Sequence, residues 1–178
     1  MRVVGGIHRG RILKRVNKPT TRETADMVKV AVFNMIQIKQ GIILDLYAGS
    51  GAYGIEALSR GADFAYFVDM DKDAINIVIE NLNLLKLEHQ AKVYHQTDER
   101  FIKSLNQDTM FDVIFLDPPY DVVNYKEVIE KLYTHLNSEG LIVCESKKQV
   151  EIDVTIEGLE KIKNKTYGIK RITIFKKQ

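Results

Sequence analysis

The four residues Asp117-Pro118-Pro119-Tyr120 directly follow a short apolar run in the sequence. Two consecutive prolines restrict the backbone, so the Asp117 carboxylate is held rigidly at the end of a predicted strand. In open α/β sheets this end borders the crevice where ligands bind. The carboxylate and the Pro118 carbonyl can accept hydrogen bonds from an exocyclic nucleobase amine, and the Tyr120 ring offers a stacking face. The motif predicts a site that makes such an amine nucleophilic toward a methyl group; a helix-capping turn is the alternative.

Three glycines, Gly49, Gly51 and Gly54, have the spacing of a dinucleotide-binding loop. Asp69 ends the next predicted strand, where a ribose-binding acid is expected. On spacing alone, the loop could bind NAD. However, Asp45 precedes the loop, and a carboxylate is unfavourable beside a pyrophosphate but favourable beside a sulfonium and an ammonium group. The pattern therefore favours S-adenosylmethionine, with NAD or a ligand-free glycine turn as alternatives.

The net charge of +2 conceals an uneven charge distribution. Residues 1–29 carry a net charge of +6 and residues 161–178 carry +7, whereas residues 30–160 carry −11. Basic ends around an acidic middle are typical of a polyanion-binding surface attached to a catalytic core. We expect phosphate contacts from four arginines of the first segment: Arg2, Arg9, Arg11 and Arg22. The alternative is that the basic ends are solvated tails.

Hydrophobic periodicity predicts an alternation of strands and helices. The expected strands are Ile42–Tyr47, Phe64–Val68, Ala91–His95, Val113–Leu116 and Leu141–Glu145, and the expected helices between them are Ala52–Arg60, Lys72–Leu85, Glu99–Leu105 and Val123–Leu136. Short apolar strands separated by helices predict a parallel sheet covered on both faces. The stretches Lys161–Tyr167 and Ile169–Phe175 alternate like an antiparallel hairpin that closes the sheet.

The first residues have a different pattern from the rest of the chain. Met1–Gly5 and Arg9–Val16 read as two short strands of a hairpin. A first helix follows, with Thr24 or Asp26 as its cap, because apolar residues recur there at helical spacing. We therefore divide the chain into a basic hairpin arm at residues 1–20 and one α/β domain at residues 21–178.

The composition restricts the class of protein further. A chain of 178 residues with 45% hydrophobic residues is expected to form one globular domain of this size. A single cysteine, Cys144, excludes an intramolecular disulfide and a multi-cysteine zinc site, and the four histidines lack a metal-binding spacing. The cysteine count and the histidine spacing therefore lead us to expect no metal site. No signal-peptide or membrane-span pattern is present, so we expect a cytoplasmic protein.

Six stretches of the chain together resemble the bacterial 16S ribosomal RNA guanine-2-amino methyltransferases of the RsmD family. They are Arg2-Val3-Val4-Gly5-Gly6 with Arg9-Gly10-Arg11, the segment from Thr21-Arg22 to Phe33-Asn34, the loop Leu44–Gly54, the run Glu56–Ala62, the strand end Phe67–Asp71 and the motif Phe115–Tyr120. The Asp-Pro-Pro-Tyr motif alone is shared with adenine 6-amino methyltransferases of DNA and RNA. The run Glu56–Ala62 and the basic arm narrow the resemblance to this family.

The resemblance implies a doubly wound, Rossmann-like class I methyltransferase sheet of seven strands with an N-terminal β-hairpin extension. It also implies S-adenosylmethionine as methyl donor and a guanine of small-subunit ribosomal RNA as acceptor. We expect a monomer, whose substrate is either free RNA or an assembling subunit. By position, Asp45, Gly49 and Gly51 shape the methionine pocket. Asp69 binds the ribose hydroxyls, and Asp98 faces the adenine, although Asp98 could also be a helix cap.

Two residues differ from the family pattern, namely Glu23 in place of a proline and Val30 in place of a glutamate. They affect the segment expected to close over cofactor or RNA and leave the methyl-transfer motif intact. Two other functions stay open. One is an adenine 6-amino methyltransferase acting on RNA or DNA, and the other is a non-catalytic RNA-binding or assembly protein that retains the fold.

Overall fold

Helices and strands alternate along the chain in the computed structural model, which describes residues 1–16, 22–119 and 124–178. The helices are α1 (Arg22–Met35), α2 (Ala52–Ser59), α3 (Lys72–Leu85), α4 (Asp98–Ser104) and α5 (Tyr125–Tyr133), with one 3₁₀ turn at Glu88–Gln90. The strands are β1 (Ile42–Leu46), β2 (Phe64–Asp69), β3 (Ala91–His95), β4 (Phe111–Leu116), β5 (Leu136–Lys147), β6 (Leu159–Tyr167) and β7 (Lys170–Lys177). Among the residues described, no helix is long and apolar enough to cross a membrane.

The seven strands of the described chain form one sheet in the order β3-β2-β1-β4-β5-β7-β6. Neighbouring strands from β3 to β5 are parallel, whereas β7 is antiparallel to both β5 and β6. The predicted doubly wound sheet with a terminal antiparallel hairpin is confirmed. The strand order reverses direction between β1 and β4, so their carboxyl ends border the crevice in which ligands bind in such sheets.

Hydrophobic side chains cover both faces of the sheet. One face packs against α1, α2 and α3, and the other packs against α4 and α5. Consecutive residues of β4 show the alternation, because Phe115 faces the first cluster and Leu116 faces the second. Cys144 in β5 is buried, and burial raises the pKa of its thiol, as expected for an unreactive packing residue.

Some predicted helix boundaries are wrong. Helix α1 begins at Arg22, so neither Thr24 nor Asp26 can be its N-cap. Helix α5 ends at Tyr133, and Leu136 belongs to β5, where it lies beside Phe111 of β4 and is fully buried. The apolar periodicity identifies the buried face of a helix but does not mark the residue at which the helix ends and the next strand begins.

The amino-terminal arm is less regular than the predicted hairpin. Its two segments form one isolated antiparallel bridge between Arg2 and Ile12, which backbone hydrogen bonds on either side support, with Gly6 and Gly10 in the left-handed region of the turn. The buried side chains of Val3 and Leu13 join the core, so the arm packs on the α/β domain as an ordered segment. The predicted limit of the arm at residue 20 lies outside the residues that the structure describes.

Candidate active site

The glycine-rich loop connects β1 to α2 at the edge where the strand order reverses. Gly51 at the start of α2 has a φ of 80°, a conformation that favours glycine. Gly54 permits a close approach between α2 and β2, because a Cβ at this position would lie 2.3 Å from Cε1 of Phe67. Gly49 has a φ of 56°, so all three glycines serve the shape of the turn or its packing on the sheet.

The Asp69 carboxylate at the end of β2 supports this loop. Its Oδ2 atom accepts a hydrogen bond from the Gly49 backbone N–H at 2.8 Å, and its Oδ1 atom accepts one from the Asp71 N–H at 2.9 Å. The side chain is partly exposed at the crevice. The predicted contact of Asp69 with ribose hydroxyls therefore stays a prediction, and the structure adds a second task, which is holding the loop at Gly49.

Asp45 lies within β1 and is almost completely buried. Its Oδ2 atom accepts a hydrogen bond from the Gly54 N–H at 2.8 Å, which ties the strand to the first turn of α2. The pKa of the Asp45 carboxyl is raised to about 8, mainly by burial and to a smaller extent by the charges of Asp117 and Asp69, although the Gly54 hydrogen bond opposes this shift. A cation placed beside this carboxyl would favour its ionised form.

Asp98 is the first residue of α4, and its Oδ2 atom accepts a hydrogen bond from the Tyr47 hydroxyl at 2.6 Å. The helix-cap alternative for Asp98 is wrong, since Thr97 is the N-cap and accepts from the Arg100 N–H at 3.3 Å. Tyr47 has a φ of 71°, an uncommon conformation for a residue other than glycine. Sequence reasoning missed Tyr47, because no residue pattern indicates that its backbone is left-handed.

The motif that follows β4 reaches the same edge. Leu116 lies beside Leu46 of β1 in the sheet, so Asp117 is level with the beginning of the glycine-rich loop. Asp117 is partly buried, Pro118 is buried and Pro119 is exposed. Burial raises the pKa of the Asp117 carboxyl above its usual range, while the positive charge of Lys170 acts in the opposite direction. Tyr120 lies outside the residues that the structure describes.

Sequence reasoning also missed a charged cluster next to this motif. The buried Glu145 of β5 accepts a hydrogen bond from the Tyr53 hydroxyl at 2.5 Å and forms an ion pair with Lys170 of β7. The backbone carbonyl of Glu145 accepts a hydrogen bond from the Tyr125 hydroxyl at 2.6 Å. The one available signal was an acidic residue directly after the apolar run of β5, which indicates a buried charge with a partner.

The predicted phosphate-binding arginines of the arm are placed as expected for an external ligand. Arg2, Arg9 and Arg11 are exposed, whereas Arg22 begins α1 with a side chain outside the described part of the chain. Exposure leaves the guanidinium groups of Arg2, Arg9 and Arg11 available to a polyanion. Contact of these arginines and of Arg22 with RNA stays a prediction.

Buried polar groups fasten the arm to the domain. The Val4 N–H donates to Oε2 of Glu56 at 2.8 Å, and Lys29 lies 3.4 Å from the same oxygen and donates to the Arg2 carbonyl at 2.6 Å. Burial lowers the pKa of Lys29, and the charge of Glu56 opposes this effect. The run Glu56–Ala62 thus includes residues on which the arm docks, namely Glu56 and Ser59, whose Oγ donates to the Gly5 carbonyl at 2.6 Å.

The whole chain is similar to known methyltransferases. The family model described as "Conserved hypothetical protein 95" matches residues 1–176. A candidate rRNA methyltransferase of Bacillus subtilis is 42% identical over 183 residues, which cover 100% of both chains. Ribosomal RNA small subunit methyltransferase D of Haemophilus influenzae is 37% identical over 95% of this chain and 90% of its own length. The solved structure of a candidate methyltransferase from Escherichia coli superimposes with a TM-score of 0.87 at 29% identity, covering 100% and 98% of the two chains.

Proposed function

Because the chain belongs to the family described as "Conserved hypothetical protein 95", the RsmD family, we propose that it is a ribosomal RNA methyltransferase. The proposed reaction moves a methyl group from S-adenosylmethionine to the exocyclic 2-amino group of a guanine in small-subunit ribosomal RNA. The observation that carries this proposal is the position of Asp117, level with the glycine-rich loop at the edge where the strand order reverses.

The residues at this edge fit S-adenosylmethionine. In the described chain, the charged groups that act on the buried Asp45 carboxyl are the acids Asp117 and Asp69, and the ammonium group of a methionine moiety would supply a cation. Gln96, directly after β3, has a buried Oε1 atom without a partner in the described chain, so a donor group of a nucleoside could satisfy it. Gly49, Gly51, Asp69 and Asp98 would complete this part of the site.

The bound cofactor supplies a methyl group that its sulfonium activates. The task of the protein is then to orient the acceptor amine, whose lone pair is delocalised into the guanine ring. Asp117 and the Pro118 carbonyl would accept the two amine hydrogens, so that the nitrogen lone pair points toward the methyl group. Pro118 and Pro119 restrict the backbone that carries these acceptors, and Tyr120 would stack on the base.

The ionised form of Asp117 suits this task, since both of its oxygens then accept hydrogen bonds, whereas a protonated carboxyl keeps one good acceptor oxygen and turns the other into a donor. The carboxylate also stabilises the positive charge that develops on the nitrogen as the new bond forms. Proton loss from the methylated amine follows, and no covalent nucleophile of the protein is required.

The arm at residues 1–20 would bind the RNA, and the domain at residues 21–178 would carry the reaction. Exposed arginines can pair with phosphates, and the ordered contacts of the arm hold those arginines at fixed positions beside the domain. We propose a monomer that acts in the cytoplasm on 16S ribosomal RNA or on an assembling small subunit. A base within a paired region would first have to leave its stack.

The proposal is tested with small subunits and 16S RNA from cells that lack the gene. The wild-type chain and the Asp117→Ala variant are incubated with methyl-labelled S-adenosylmethionine, and the modified nucleosides are identified by mass spectrometry. We expect N2-methylguanosine with the wild type and none with the variant, which should still bind the cofactor within a few-fold. N6-methyladenosine would support the adenine-specific alternative, and RNA binding without any labelled product would support the non-catalytic one. Calorimetry with NAD and with S-adenosylmethionine decides between the two cofactors.

A further inference from the structure

The Glu145–Lys170 ion pair is not explained by the proposed function, although it lies next to the site. Lys170 opens β7 in the terminal hairpin, 53 positions beyond Asp117 in the chain. The pair brings a cation from the antiparallel end of the sheet to the carboxyl ends of the parallel strands. A charged pair in so buried a place has a desolvation cost and therefore calls for a reason.

Sheet register places the two carboxylates side by side. Leu116 of β4 lies beside Cys144 of β5, so the next residues in both strands, Asp117 and Glu145, are level with each other. Their neighbours Phe115 and Val143 belong to the same hydrophobic cluster, so the strand alternation, continued by one residue beyond β4, places Asp117 on the face from which Glu145 extends.

Lys170 reaches this pair from the adjacent strand. Ile172 of β7 lies beside Glu145, and Ile172 and Ile174 belong to the cluster on the same face. Lys170, two residues before Ile172, therefore projects toward that face as well. Its ammonium is held by Glu145, and its positive charge favours the ionised form of Asp117.

The surroundings of Glu145 fix the direction of its carboxylate. The Tyr53 hydroxyl donates to Oε2 of Glu145 at 2.5 Å, which leaves Oε1 to the Lys170 ammonium. The Tyr53 ring stacks on the Phe115 ring with centroids 4.9 Å apart and an interplanar angle of 14°. Glu145 is thus held by α2 on one side and by β7 on the other.

We propose that Lys170 is a positioning residue for methyl transfer, whose ammonium, held in place by Glu145, keeps the Asp117 carboxylate in its hydrogen-bond-accepting form. The inference rests on the proposed function, because it gives Asp117 the task of accepting hydrogen bonds from the guanine amine. Burial alone raises the pKa of Asp117 and would favour the protonated form, which cannot accept those bonds in the same way.

The other charged and titratable groups around Asp117 do not replace Lys170. Asp45 of β1 carries a carboxyl, whose negative form would disfavour a second negative charge beside it. Glu145 is also acidic, and Tyr53 of α2 presents a hydroxyl that is engaged by Glu145. Lys147 lies two residues beyond Glu145 in β5 and has interactions of its own. Among these groups, Lys170 is the cation whose positive charge lowers the pKa of Asp117.

The test compares four variants with the wild-type chain. Lys170→Met removes the charge at similar length, Lys170→Arg restores it, and Lys176→Met is the matched control because Lys176 lies in the same strand and pairs with Glu139. The double variant Glu145→Gln/Lys170→Met removes both members of the ion pair, so no unpaired Glu145 charge can unfold the chain.

The first readout is the titration of the Asp117 carboxyl by carbon NMR, assigned with Asp117→Asn. We expect the midpoint to rise by about one pH unit or more in Lys170→Met and in the double variant, and to stay at its wild-type value in Lys170→Arg and in Lys176→Met. This titration does not require turnover. An unchanged midpoint in both variants that lack the ammonium would overturn the inference.

The second readout is methyl transfer to small subunits over a range of pH. The acidic limb of the kcat profile should move upward by the same amount in Lys170→Met and in the double variant, and KM for the cofactor should stay within about threefold. Recovery of the wild-type profile in the double variant would mean that Lys170 only neutralises Glu145. A wild-type chain that transfers no methyl group would refute the proposed function, while the titration would still decide whether Lys170 acts on Asp117.

Discussion

The side-chain amide of Asn81 donates a hydrogen bond to the backbone carbonyl of Ser50 at 3.0 Å. The same amide donates to the Lys14 carbonyl at 3.1 Å and accepts from the Lys14 N–H at 2.8 Å. Asn81 lies in α3 and is completely buried. One side chain therefore connects the basic arm to the glycine-rich loop, so the two parts of the molecule proposed to bind RNA and cofactor share a structural support.

Asn81→Ala should destabilise the chain and weaken cofactor binding. The substitution removes the partner of partly buried backbone groups of Lys14 and Ser50, at a cost of about 1 kcal/mol for each hydrogen bond. Asn83→Ala is the matched control, because Asn83 is exposed in the same helix. Urea unfolding measures the stability, and calorimetry with the demethylated cofactor measures the affinity. Equal effects of both substitutions would mean that the Asn81 hydrogen bonds do not support the loop.

Asp69→Ala should weaken cofactor binding by more than about tenfold, since it removes the acceptor of the Gly49 N–H as well as the proposed ribose contact. Asp69→Asn retains one acceptor oxygen and should have the smaller effect. Asp73→Ala, an exposed change in the first turn of α3, is the control. Calorimetry gives the three affinities, and an Asp69→Ala affinity equal to that of the control contradicts the assignment.

Asp45→Asn should change how stability depends on pH. In the folded chain the Asp45 carboxyl keeps its proton up to about pH 8, whereas an unfolded aspartate loses it at about pH 4. Between these values the folded state binds more protons, so the contribution of Asp45 to the free energy of unfolding is full below about pH 4 and is lost as the pH rises toward 8.

Asn cannot ionise, so the variant lacks this contribution. The free energy of unfolding of the wild type relative to Asp45→Asn should therefore fall between pH 5 and pH 7 by up to about 1.4 kcal/mol per pH unit. Urea unfolding of both chains at several pH values measures the difference, with the exposed change Asp73→Asn as the control. A constant difference across this range would show that Asp45 is already ionised in the folded chain.

Arg9→Ala/Arg11→Ala should reduce the salt dependence of RNA binding. Each arginine that pairs with a phosphate releases condensed counterions, so the slope of log affinity against log salt should decrease by about 0.7–0.9 for each lost contact. Lys103→Ala/Lys131→Ala removes two exposed charges from α4 and α5 and is the control. Filter binding across a salt series measures both slopes. An unchanged slope with the arginine variant would assign RNA docking to another surface, such as the lysine-rich β6 and β7.

Local patterns determine several elements of this protein directly. Helix α3 runs from Lys72 to Leu85 as predicted. Its apolar stripe identifies the helix, and Asp71 marks its start as the N-cap, since the Asp71 side chain accepts a hydrogen bond from the Asp73 N–H. The parallel strands are short apolar runs because both of their faces are buried. The glycine spacing and the Asp-Pro-Pro-Tyr motif identify the two strand ends that form the site, since a doubly wound sheet brings these ends together.

Tertiary structure alone decides the partners of the buried polar groups. Glu145 meets Lys170 because β7 inserts antiparallel beside β5, and Asn81 meets Lys14 because the arm folds back over α2 and α3. Such pairs are 25 and 67 residues apart in the chain, so no local periodicity encodes them. A buried polar residue indicates that some partner is required. The identity of the partner depends on strand register and on the docking of distant segments, which only the folded chain determines.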